Sequence, residues 1–184
     1  MKQEPVVIPR WRISKDWLWV LLPISLFLVF IAVFPCWILE DGYIMLRYAR
    51  NIAYGFGVVY NPSDTPVWGN TSMLTTLALA ALIRAGLVPV LASSVLGLST
   101  GITLIIVVYM IERRILGLDI FPSIVSCCLL AISQLVSLAL MGFDAVMFTL
   151  MMTLVFGASL WVVLRPSGNN SWIPLYAFAV VVIL

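Results

Sequence analysis

The sequence predicts an all-α membrane protein, a polytopic bundle of transmembrane helices whose extracytoplasmic first loop contains amphipathic interfacial helices. Hydrophobic residues make up 63% of the 184 residues and charged residues only 10%, whereas soluble domains carry roughly 25% charged residues. The apolar residues also occur in long uncharged runs, and a globule of this size could not bury so much apolar surface. We therefore expect lipid to be the solvent for most of the chain.

The first span is predicted over residues 17–39, after a charged tail at residues 1–16. Residues 17–39 carry no charge and would extend about 35 Å as a helix, enough to cross a hydrocarbon core of about 30 Å. The run is too long for a signal peptide and lacks a cleavage site of small residues, so we predict an uncleaved transmembrane helix. Residues 40–89 then form the outer loop.

Three further spans are predicted at residues 90–111, 121–140 and 145–164, and a fifth begins within residues 172–184. The sequence stops at Leu184, about a dozen residues into that fifth span, without a polar end. Because the last carbonyl groups of a helix in hydrocarbon lack partners, we expect a fragment of a longer protein. The remainder of the bundle would then belong to the longer protein or come from a second chain.

The distribution of basic residues predicts the direction of the spans. The apolar piece from Ser72 to Arg84 either lies in the interface or crosses, and about thirteen residues fall short of the roughly 20 that a span needs. The interfacial arrangement places seven basic residues inside and three outside, against six and four if the piece crosses. The positive-inside rule favours the first arrangement. We expect a multi-pass protein of the cytoplasmic membrane with a cytoplasmic N-terminus.

Composition also restricts the chemistry. A net charge of +2, with basic residues grouped only in the N-terminal tail, argues against a nucleic-acid partner. The chain has no histidine, so Ser-His-Asp catalysis and His-based metal sites are excluded, and acid–base chemistry must come from Asp or Glu. Three acids share the outer face under the favoured topology: Glu40 and Asp41 after the first span, and Asp144 after the third. Taken alone, Glu40 and Asp41 are better explained as a polar stop after a span, whereas an acid at membrane depth such as Asp144 indicates function unless it is a simple loop residue.

Residues 41–54 have the spacing of an amphipathic helix that lies along the membrane surface. Its predicted apolar face repeats every four residues, at Ile44, Tyr48 and Ile52. Its predicted polar face carries Tyr43, Arg47, Arg50, Asn51 and Tyr54. Gly55 and Gly57 end the helix, and residues 60–64 form a turn. Because guanidinium groups pair with phosphate in a bidentate way, Arg47 and Arg50 are predicted to contact either a specific phosphate or bulk anionic lipid.

Four motifs follow one another in this loop. They read Glu40-Asp41-Gly42-Tyr43-Ile44, Arg47-Tyr48-Ala49-Arg50-Asn51, Gly55-Phe56-Gly57-Val58-Val59-Tyr60-Asn61-Pro62 and Gly69-Asn70-Thr71-Ser72. In this order they resemble the first-loop signature of the GT-C membrane glycosyltransferases, most of all bacterial enzymes similar to the mycobacterial arabinofuranosyltransferases. The later segment Gly142-Phe143-Asp144-Ala145-Val146-Met147-Phe148 resembles the acid-containing piece after that family's third span. The resemblance covers most of residues 1–165.

The resemblance implies an inverting transfer of a sugar from a polyprenyl-phosphate donor in the membrane to a glycan, lipid or protein acceptor on the outer face. It makes Asp41 the leading candidate for the general base or a metal contact, Glu40 the next, and Asp144 the second acidic member of the site. Arg47, with Arg50 on the same face, would contact the donor phosphate. The loop positions of the motifs are Tyr43, Asn51, Gly55, Gly57 and Asn61. No cofactor is firmly implied, and a divalent metal held by Asp41 and Asp144 is left open.

The chain also departs from the family pattern. Pro66-Val67-Trp68 stands where the family usually has an acid, Met73-Leu74 replaces Pro-Leu, and Asp144 is one methylene shorter than the usual Glu. Two alternatives therefore stay open. A lipid-linked sugar flippase or transporter component would need functional polar groups at the bilayer midplane, where the sequence offers Thr100, Thr103, Ser133 and Gln134. An inactive truncated relic would need none.

Overall fold

The computed structural model describes residues 15–33, 38–67, 69, 72–133 and 144–164. Within these ranges every regular element is helical and none is a strand, which confirms the all-α class for the described residues. The α-helices in them are α1 (Leu21–Val33), α2 (Glu40–Ala53), α3 (Met73–Arg84), α4 (Pro89–Met110), α5 (Ile120–Ala131) and α6 (Ala145–Leu164). A 3₁₀ helix over Lys15–Val20 leads into α1, and a π-helical turn over Ile111–Ile115 continues α4.

Two of the described helices are long and apolar enough to cross a membrane. They cover Asp16–Val33 and Pro89–Ile115, and they qualify by length and composition. Together they suggest that the chain associates with a membrane. The predicted remainder of the third span and the predicted fifth span lie outside the described residues.

The first helix and α4 run in opposite directions. The Tyr109 hydroxyl donates a hydrogen bond of 2.6 Å to the carbonyl oxygen of Asp16, and Arg113 forms an ion pair with the Asp16 carboxylate at 3.3 Å. These contacts hold the start of the first helix beside the end of α4. Phe27 of α1 and Ile105 of α4 are both fully buried in the core that follows from this pairing.

The turn between α4 and α5 reverses the chain again. Gly117 adopts a φ of +68° in this turn, a conformation that costs glycine little because it has no Cβ. The Arg113 guanidinium donates to the Leu118 carbonyl oxygen. Ser126 of α5 donates a 2.6 Å hydrogen bond to the Glu112 carboxylate. Helix α5 consequently packs back along α4 and α1, and its Cys127 joins their core.

Helix α6 runs in the same direction as α4 but starts beside its middle. Val146 and Leu150, near the start of α6, pack with Leu104. Further along, Gly157 lies so close to Ile111 that a Cβ there would be 2.6 Å from the Ile111 Cδ1 atom. Leu104 comes about 22 Å along the helix axis after Pro89, at 1.5 Å per residue. Asp144, directly before α6, therefore lies beside the middle of α4.

Helices α2 and α3 form a separate layer at the N-terminal end of α4. Met45, Leu46 and Ala49 of α2 pack against Leu79 of α3 and Ala92 of α4. Helix α3 has 12 residues and is about 18 Å long, too short to cross a bilayer core. The polar contacts around Asp16 and Arg113 lie at the opposite end of α4.

The sharp turn from α3 into α4 follows from local sequence. Gly86 adopts a φ of +103°, and its N–H donates to the Ile83 carbonyl while the next N–H, of Leu87, reaches back to Leu82. Pro89 then occupies the first turn of α4, where a missing N–H costs nothing because that donor has no partner within the helix. This turn brings the start of α4 back to α2.

Candidate active site

A groove of about 640 Å³ opens along the exposed side of α2, within the usual size range of small-molecule sites. The loop after α2 forms one wall, and Pro89 and Val90 at the start of α4 form the other. Its charged and aromatic lining residues are Glu40, Tyr43, Arg47, Arg50, Tyr54, Phe56 and Tyr60. The groove thus combines one acid, two arginines and four aromatic rings.

The helical repeat of α2 explains why these side chains meet. Glu40, Tyr43, Arg47, Arg50 and Tyr54 follow one another at intervals of three or four residues, and such residues lie on one face of a helix. Asp41 is one position off this face. It is exposed and does not line the groove. Of the two acids that follow the first predicted span, Glu40 is therefore the one whose side chain lines the groove.

Arg47 holds the loop that forms the groove wall. Its Nε donates to the Tyr60 carbonyl oxygen at 3.0 Å, and its Nη2 donates to Asn61 Oδ1 at 2.6 Å. The guanidinium carbon also lies 4.4 Å from the centre of the Tyr60 ring, a cation–π distance. Arg47 is predicted to contact a phosphate, but two of its nitrogens already donate hydrogen bonds within the protein.

Asn51 lines the groove together with the other residues of the predicted polar face, but its side chain is buried against the loop after α2. Its side chain is 6% exposed, and its Nδ2 donates to the carbonyl oxygens of Val59 at 2.8 Å and Tyr60 at 2.9 Å. A polar side chain is stable in this position because it satisfies backbone acceptors that the loop would otherwise bury unpaired. Within the predicted apolar face, Tyr48 is buried, whereas Ile44 lines the groove.

The loop itself is built from glycines and a short polar turn. Gly55 and Gly57 both adopt a φ of +85°, which L-residues rarely adopt. The N–H of Gly55 donates to Ile52 and that of Phe56 to Asn51, the pattern that ends many helices. Further on, the backbone N–H and the side-chain amide of Asn61 both donate to Asp64 Oδ2, at 3.0 and 2.9 Å. Asn61 therefore links Arg47 to Asp64.

The structure does not bring Asp144 to the groove. Asp144 is half-buried and directly precedes α6, whose first turns pack against Leu104, whereas the groove uses Pro89 and Val90. The position of Asp144 along the α4 axis is therefore about 20 Å from the start of α4, where the groove lies. Within the described ranges, no group of three or more His, Cys, Asp or Glu side chains could hold a metal ion. The geometry thus lends no support to one site shared by all three acids or to a metal pair of Asp41 and Asp144.

Some groove residues could not be found by sequence reasoning. Pro89 and Val90 reach the groove only because the α3–α4 turn folds back onto α2. Phe56 carried a signal, since it stands between the two glycines of the third motif. The structure also shows why the fourth motif begins with glycine. A Cβ at Gly69 would lie 2.7 Å from the Tyr48 hydroxyl oxygen.

No protein-family model, no curated protein and no solved structure matches this chain.

Replacing Asn51 with alanine should destabilise the loop wall. The change removes two hydrogen bonds and leaves the buried Val59 carbonyl without its side-chain donor, at a cost of about 2 kcal/mol. We expect a lower Tm in mild detergent and faster proteolysis within residues 55–64. Ser63→Ala is the control, because an exposed substitution in the same loop should change stability by about 0.5 kcal/mol or less. Equal Tm values for the two variants would contradict the role assigned to Asn51.

Proposed function

We propose that this chain is a membrane glycosyltransferase, or the N-terminal part of one, that transfers a sugar from a polyprenyl-phosphate donor to a hydroxyl group of an extracytoplasmic acceptor. The observation that carries the proposal is the groove along α2. It places an acid, two guanidinium groups and aromatic rings on one helix face beside a helix long enough to cross a membrane. In a site for a lipid-borne sugar phosphate, the acid can act as a general base and the guanidinium groups can bind the phosphate. The aromatic rings can contact the apolar chain of the lipid.

The proposed reaction is a direct displacement at the anomeric carbon. The acceptor oxygen forms a bond to this carbon while the Glu40 carboxylate accepts the hydroxyl proton. The bond from the anomeric carbon to the phosphate oxygen breaks, and its electron pair stays with the polyprenyl phosphate. A guanidinium group of the groove stabilises the charge of this leaving group. Attack from the side opposite the phosphate inverts the anomeric centre.

The separation of the charges along α2 is consistent with this reaction. An in-line displacement places base and leaving group on opposite sides of the sugar carbon. Adding typical hydrogen-bond, near-attack and covalent lengths gives about 12 Å from the base oxygen to a guanidinium on the phosphate. Arg47 and Arg50 follow Glu40 by about 10 and 15 Å along the helix axis. Both arginines are therefore within range of the leaving phosphate.

The transporter alternative receives less support from the described polar residues of α4. The hydroxyl groups of Thr100 and Thr103 donate to carbonyl oxygens of their own helix, Leu96 and Ser99, at 2.7 Å each. Ser133, after α5, likewise donates to Leu130. Gln134 lies outside the described residues. The hydroxyl donors of these three residues are therefore already used by nearby backbone carbonyls.

The function is tested with purified protein in nanodiscs that contain a polyprenyl-phosphate sugar and a panel of alkyl glycoside acceptors. We expect release of polyprenyl phosphate together with an acceptor that has gained one sugar with inverted anomeric configuration. Movement of intact donor between leaflets, without cleavage of its phosphate bond, would favour the transporter alternative instead.

The proposal includes an orientation, with the groove outside and the N-terminus in the cytoplasm. We expect a cysteine at exposed Ser63, in the loop beside the groove, to react with a membrane-impermeant maleimide in intact cells. A cysteine at exposed Leu118, between α4 and α5, should react only after permeabilisation. Both variants are made after the three native cysteines are replaced by alanine. The reverse labelling pattern would place the groove in the cytoplasm and contradict the proposal.

A further inference from the structure

The two arginines on the groove face of α2 differ in their hydrogen bonding. Arg47 is hydrogen-bonded to the loop through two of its nitrogens. Arg50 is exposed, and within the described part of the chain its guanidinium carbon lies 5.8 Å from the centre of the Tyr54 ring. It forms no hydrogen bond or ion pair there. Arg50 therefore offers the groove a full set of donors.

We propose that Arg50 is the phosphate-binding group of the groove and that Arg47 is a positioning residue for the groove wall. The proposal rests on the proposed function for its ligand, a phosphate ester at the head of a lipid. A guanidinium group binds phosphate best when two parallel donors are free. Arg47 would have to release Tyr60 and Asn61 to offer its bonded edge, whereas Arg50 gives up no hydrogen bond to the described residues.

The surroundings of Arg50 suit a lipid phosphate more than a phosphate in water. The Tyr54 and Phe56 side chains, 62% and 53% exposed, line the groove with it. Aromatic side chains of this kind sit at the level of lipid headgroups in membranes. A free phosphate ion would gain nothing from these rings, while a lipid phosphate brings apolar chain that can contact them. The shared chemistry is the phosphate group, and the aromatic rings select its lipid-borne form.

The test compares binding of a short-chain polyprenyl phosphate with binding of the matching polyprenol, which lacks the phosphate, in nanodiscs of zwitterionic lipid. We expect the wild-type protein to prefer the phosphate by at least about tenfold. Arg50→Gln should remove this preference without changing Tm, and Arg50→Lys should restore part of it. Arg47→Gln should lower Tm and expose residues 55–64 to protease, yet keep the preference. Loss of the preference in Arg47→Gln but not in Arg50→Gln would overturn the assignment.

Competition separates the sources of phosphate. Polyprenyl phosphate should be displaced neither by an equal concentration of inorganic phosphate nor by an equal amount of phosphatidylglycerol. Displacement by inorganic phosphate would show an unselective anion site, and displacement by phosphatidylglycerol would show contact with bulk lipid, so either result overturns the proposal.

The result of this binding test can be distinguished from the result of the sugar-transfer assay. If an Arg50-dependent preference is found without any sugar transfer, the phosphate site stands and the glycosyltransferase does not. If transfer is found and Arg50→Gln keeps the phosphate preference, the glycosyltransferase stands and the assignment of Arg50 falls.

Discussion

Replacing Glu40 with glutamine is expected to reduce sugar transfer by about 10²–10⁴-fold, the usual contribution of a general base. Glutamine keeps the size and polarity of the side chain but cannot accept the proton of the acceptor hydroxyl. The fold should be unaffected, because Glu40 is exposed at the first turn of α2. The loss should appear in kcat, while the affinity for polyprenyl phosphate stays within about twofold of the wild type because the phosphate contacts are intact.

Asp41→Asn provides the matched comparison. Asp41 shares the first turn of α2 with Glu40, so each substitution removes one negative charge near the helix N-terminus, worth about 0.3–1 kcal/mol. Asp41 lies outside the groove, and we expect a much smaller loss of transfer from its replacement. The motif resemblance predicts the opposite order, with Asp41 as the base. A larger loss in Asp41→Asn would show that the motif is the better guide and that the position of Glu40 in the groove is incidental.

The local features of the site could be read from the sequence because they depend on neighbouring residues. The helical repeat placed Tyr43, Arg47 and Arg50 on one face of α2. It could not reveal which polar residue the fold buries. Asn51 belongs to the polar set by periodicity, but it lies against the returning loop, and the hydrogen bonds to Val59 and Tyr60 decide its position.

The long-range features could not be read in the same way. Charge counting assigns Asp144 to a side of the membrane but gives no depth. Its level is set by packing between helices, through the contact of Val146 with Leu104 and the close approach of Gly157 to Ile111. No pattern within either helix specifies that alignment. The same holds for Asp16 and Arg113, which the sequence offers only as charges and which the fold pairs.

The packing of α1 against α4 and α5 leads to the second large effect. Phe27 is fully buried between these helices, together with Ile105 and Cys127. Phe27→Ala should leave a cavity there and destabilise the protein by about 3 kcal/mol, at the low end of the range for such changes. The low end applies because lipid is itself apolar, so that lost packing contacts, rather than transfer from water, account for most of the cost. Unfolding in mixed micelles followed by far-UV circular dichroism measures the change.

Leu28→Ala is the control for this experiment, because the two residues are adjacent in the same helix. Leu28 is 44% exposed and points away from the core, so its truncation should cost about 0.5 kcal/mol or less. Both substitutions place alanine in α1, so differences in helix propensity contribute little to the comparison. If Leu28→Ala were as damaging as Phe27→Ala, α1 would not use this face against α4 and α5. The antiparallel arrangement that separates the groove from the Asp16–Arg113 end would then lose its packing basis.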